Sequence, residues 1–139
     1  MKRRIVRSIL GLLLLATCVA AADFNGVWVG QQAGRRGEPE DLAFRFKLDG
    51  QSVTGKMYGD EFDLPISEGS VSGDQIHFVV ITTNYYNGTK TRFLYTGTVK
   101  DNEMELVRER VVAADDKAAT QAAAKQGPTK QTLKLKRIK

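Results

Sequence analysis

The chain has 139 residues, 42% of them hydrophobic and 27% charged, with a formal net charge of +5. That length suits one globular domain, able to bury roughly two thirds of its unfolded surface without a disulfide or metal. Collagen-like, coiled-coil and polytopic membrane architectures are excluded by composition. Thirteen glycines, three prolines and few helix-forming runs favour strands and turns.

The first 22 residues read as an export signal. Lys2, Arg3, Arg4 and Arg7 form a positive start, Leu12, Leu13, Leu14 and Leu15 centre an apolar run, and Ala20, Ala21 and Ala22 offer a small-residue cleavage site before Asp23. The apolar run is short for a membrane span, so cleavage after Ala22 is expected to leave residues 23–139 as a single domain without a transmembrane segment. Leu15, Ala16, Thr17 and Cys18 resemble a bacterial lipobox, although threonine before the cysteine departs from the usual Gly, Ala or Ser. The expected location is the periplasm or the exterior, with lipid on Cys18 the lesser alternative. The four basic residues of the signal account for four of the five excess positive charges. From Lys117 onward the chain is basic and carries no acidic residue, which reads first as the solvated edge of a last strand.

Alternation of apolar and polar side chains marks eight strands, because successive strand residues point to opposite faces. The first spans 26–32. In the second, Leu42, Phe44, Phe46 and Leu48 share one face. Strands follow at 52–58, 62–72, 75–83, 91–100, 103–112 and 131–138, with Asp49, Gly50 and Asp101, Asn102 as turn pairs. Pro65 and Gly69 mark the fourth strand for a bulge or a split. Asp116 and an alanine-rich stretch ending at Gly127 and Pro128 predict one short helix before the last strand. The expected fold is therefore all-β: an eight-stranded antiparallel up-and-down barrel, closed to remove exposed edges, with that helix as a decoration.

Gly26, Val27 and Trp28 match the G-x-W at the start of the first strand in calycin barrels, and the chain resembles that family: lipocalins, with a looser likeness to avidins. It also resembles small exported bacterial domains of unknown function that share this start and a Lys-Arg ending. The resemblance implies that Trp28 plugs the closed end and stacks with a basic residue late in the last strand. Arg137 shares a face with Leu133 and Leu135 and is expected in that role.

In a meander, alternate connections fall at the same end. The tight connections at 49–51, 73–74 and 101–102 fall at the Trp28 end, and those at 33–41, 59–61, 84–90 and 113–130, three of them long, collect at the other, where barrels carry binding. There Arg35 and Arg36 offer guanidinium forks, and Tyr85, Tyr86 and Asn87 offer aromatic faces with polar tips or simply a turn. Arg108 and Arg110 follow Met104 and Leu106 in parity and reach into the upper barrel if that face is the inner one; Val107 and Val111 have the opposite parity and offer the other face. Phosphate-loop spacing is absent, so no nucleotide or nucleic-acid role is expected. His77, the only histidine, alternates outward. Without a second histidine or a cysteine beyond the signal, thiol catalysis and His/Cys zinc sites are out. Asp60, Glu61 and Asp63 lack calcium-loop spacing. The chain is thus expected to be a non-enzymatic monomer without cofactor or metal. Two readings stay open: a barrel taking a small or apolar ligand at its mouth, which needs a cavity, and a protein-binding module using the rim, which needs a filled barrel.

Overall fold

The computed structural model describes residues 22–34, 36–60, 62–111 and 130–138. The alternating segments become β1 (Gly26–Ala33), β2 (Pro39–Asp49), β3 (Ser52–Gly59), β4 (Asp63–Ser72), β5 (Gln75–Thr83), β6 (Lys90–Lys100), β7 (Glu103–Val111) and β8 (Lys130–Ile138). Each pairs antiparallel with the next, and β8 returns to β1 to close the barrel. Closure leaves no strand edge with unpaired backbone groups.

One part of the fold expectation is corrected. Among the described residues there is no helix, and residues 112–129, where the short helix was expected, lie outside them. The fold that the described residues show is the eight-stranded closed barrel alone. The first hairpin also differs from expectation. Its pairing runs on through Gln31↔Asp41, Gln32↔Glu40 and Ala33↔Pro39, which shortens the connection to 34–38. Polar Glu40 and Asp41 carry no apolar alternation to announce a strand, and Pro39 is tolerated because it is the first residue of β2.

β4 is bulged rather than split. Between Val53↔Gly69 and Lys56↔Pro65, and again between Ser67↔Val79 and Ser70↔His77, β4 holds one residue more than its partner. Both shifts fall at Glu68, which adopts a φ of 53°, as bulged residues do. Because the strand is continuous, the ends alternate. The two-residue turns at Gly50, Gly73 and Asp101 all have positive φ at their first position and share one rim, the base.

Aromatic side chains of the inner face meet inside the barrel. Phe44 of β2, Phe78 of β5 and Tyr95 of β6 meet across it, with ring centroids 5.5 Å apart for Phe44–Phe78, 5.6 Å for Phe44–Tyr95 and 4.8 Å for the stacked Phe78–Tyr95 pair. Phe46 adds a fourth ring 5.2 Å from Phe78. Below them Trp28, Leu106, Leu133 and Leu135 are buried. Each aromatic pair of this geometry adds about 0.5–1.5 kcal/mol beyond its buried area.

The base is stoppered by the segment before β1. Phe24 is fully buried, the Trp28 indole N–H donates to the Phe24 carbonyl at 3.0 Å, and the Ala22 N–H donates to the Gly73 carbonyl at 2.8 Å. Asn25 accepts the Leu48 N–H at 2.9 Å. Ala22, Phe24 and Asn25 thereby bind to β1, to β2 and to the turn between β4 and β5.

Candidate functional site

Two ends of the barrel carry the chemistry. At the base, Trp28 is paired in register with Arg137, whose guanidinium lies 4.5 Å from the centre of the indole ring. The same guanidinium donates to the Asp23 carboxylate at 3.1 Å and to the Asp23 carbonyl. A cation stacked on a desolvated indole gains about 2 kcal/mol of attraction. Asp23 holds its carboxyl below the ordinary value: the Asn25 N–H contributes most, partial burial opposes it, and the Asn25 and Arg137 side chains add to the lowering.

The opposite end is polar. Arg108 and Arg110 share the inward face of β7, whereas Val111, of the other parity, is exposed. Arg108 is fixed on three sides. One guanidinium nitrogen donates to Gln32 Oε1 at 3.0 Å, the other to Gln131 Oε1 at 2.7 Å, and the Phe93 ring lies 5.1 Å from the guanidinium carbon. Gln32 is anchored in turn, its amide 3.5 Å from the Glu40 carboxylate. Beneath sits Tyr95, whose hydroxyl donates to the Met57 sulfur at 3.5 Å. Burial raises the Tyr95 pKa, and the positive charge of Arg108 opposes that rise. Arg110 is more deeply buried, and both desolvation and the neighbouring Arg108 charge lower its pKa.

The remaining rim residues stand apart. Arg35 lies outside the described residues, and Arg36 is an exposed turn residue in a loop closed by Gly34 N–H to Glu38 C=O at 2.7 Å. Tyr85 and Tyr86 are 95% and 92% exposed, meeting edge-on at 5.8 Å. Their loop is built by its own polar groups. Asn84 Oδ1 accepts the Tyr86 N–H at 2.9 Å and Asn87 Oδ1 accepts the Thr89 N–H at 3.0 Å. The carboxamide oxygen of Asn87 is therefore engaged within the turn. Among the described residues, no hydrogen bond or ring contact joins Arg36, Tyr85 or Tyr86 to Arg108. On the outer wall His77 faces Thr96 at 3.3 Å, and Lys56 pairs with Asp63 at 3.3 Å.

Sequence reasoning missed Gln32, Gln131 and Phe93 as the frame of Arg108. The signal was present, since each continues an inward series toward the mouth: Trp28, Gly30, Gln32; Leu135, Leu133, Gln131; Val99, Gly97, Tyr95, Phe93. Phe24 had no such signal, because it precedes the first strand.

No protein-family model, curated protein or solved structure matches the chain.

Proposed function

We propose that this chain is an exported, non-enzymatic binding barrel of calycin type that acts as a protein-binding module, meeting its target with the open mouth and rim loops. The observation that carries this reading is the meeting of Phe44, Phe78 and Tyr95 across the lumen. An apolar ligand swallowed deep in a barrel needs the space those rings occupy, whereas a rim-acting module gains rigidity from them. Two tyrosines held almost fully in solvent on a self-hydrogen-bonded loop support the same reading. Amphipathic rings of low conformational entropy are suited to protein contact.

Mass spectrometry of the exported protein, purified without detergent, tests this. The native and denatured masses are expected to agree, both corresponding to a chain beginning at Asp23. An excess in the native spectrum that disappears on denaturation would show a retained ligand and overturn the rim reading. A covalent lipid mass would place the chain on a membrane through Cys18.

A further inference from the structure

We propose that the frame around Arg108 is an oxyanion receptor, taking a carboxylate or phosphate group presented at the barrel mouth. The inference rests on the mouth being the binding end and adds the chemistry that the mouth recognises.

Three observations carry it. First, the groups that accept from Arg108 are neutral, the carboxamide oxygens Gln32 Oε1 and Gln131 Oε1, with the neutral Tyr95 hydroxyl also within hydrogen-bonding reach below. They orient the guanidinium without cancelling its charge. A structural arginine inside a protein is ordinarily matched by a carboxylate, because an uncompensated charge is costly to desolvate. Second, the Phe93 ring covers one side of the guanidinium, 5.1 Å from its carbon, which leaves a bidentate oxyanion to approach from the sides that remain. Third, the floor below is the filled aromatic layer headed by Tyr95. The bound group must therefore be compact and must enter from the rim. Glu40, which follows the inward parity of Leu42 and Phe44 at the mouth, is in contact with Gln32 rather than with Arg108, so the receptor keeps its positive sign.

The test is a titration of uniformly 15N-labelled exported protein at constant ionic strength with sodium acetate, inorganic phosphate and neutral acetamide. Saturable shift changes at Gln32, Arg108 and Gln131 are expected with an anion and not with acetamide. Arg108→Gln should weaken them about tenfold or more, and Arg108→Lys, which keeps the charge but loses the fork, should fall between. Response to acetate alone assigns a carboxylate, and response to phosphate alone assigns a phosphate. Shift changes that never saturate, or that survive Arg108→Gln at full affinity, overturn the receptor. If Arg108→Gln loses the dispersion of a folded barrel, the comparison of wild type with Arg108→Lys decides: equal affinities overturn the fork. Failure of the mouth reading is distinguishable, since it would appear as saturable anion shifts confined to the base or outer wall.

Discussion

Trp28 shows how much one side chain can organise. It is fully buried, donates to the Phe24 carbonyl and carries Arg137 on its face, so it joins the segment before β1, β1 itself and β8. Trp28→Ala is expected to cost about 3–5 kcal/mol in chemical denaturation, and a loss below about 1 kcal/mol would remove the indole from its role as base plug. Asp23 completes the cluster and gives it a pH dependence. Its folded pKa lies below the ordinary value of 3.8, so the stability it contributes is complete above that value and is lost as pH falls through the depressed one. Asp23→Asn should remove that acid-side loss, as read by unfolding curves between neutral pH and pH 3. The step will be small, because most of the Asp23 side chain faces water. The partnership of Trp28 and Arg137 was implied by the resemblance to calycin barrels, with strand parity picking out Arg137. That of Trp28 with Phe24 was not, because a lone apolar residue ahead of a strand has no periodicity to give it away.

Among the strands, legibility followed apolar alternation. β5 was read to its ends, and β2 was read only from Leu42 because its first three residues are polar. β4 announced its bulge twice: Gly69 marked the place, and the inward parity passes from even at Leu64 and Ile66 to odd at Val71. The missing information was which residue takes the extra position, since Glu68 at positive φ is not a choice that propensity would make. Gly55 shows the opposite case, a position that only glycine fits. A Cβ there would lie 1.8 Å from the Arg45 carbonyl oxygen, at a φ of 153°. Gly55→Ala is therefore expected to destabilise the barrel by more than about 3 kcal/mol, measured by the denaturation midpoint. Retention of wild-type stability would mean that β2 and β3 can part at this point without penalty.

For the molecule as a whole, the two-ended character came from counting connections, and the unbroken β4 preserves the count. The lower barrel could be read because apolar residues alternate there. The upper barrel was read in part: parity placed Arg108 and Arg110 inward, but Gln32 and Gln131, which continue the same inward series, are polar and do not stand out from surface residues. The seam between β1 and β8, where Val27 meets Ile138 and Trp28 meets Arg137, has a consequence for how the barrel comes into being. Every other strand pair joins neighbours in the chain and can form locally, whereas this one must close a loop spanning the whole domain, the slowest kind of contact to make. During synthesis β1 therefore waits, with one edge bare, until residues 130–138 have emerged. The hairpins can form one by one, but the barrel as a closed unit is sealed only when its last strand arrives.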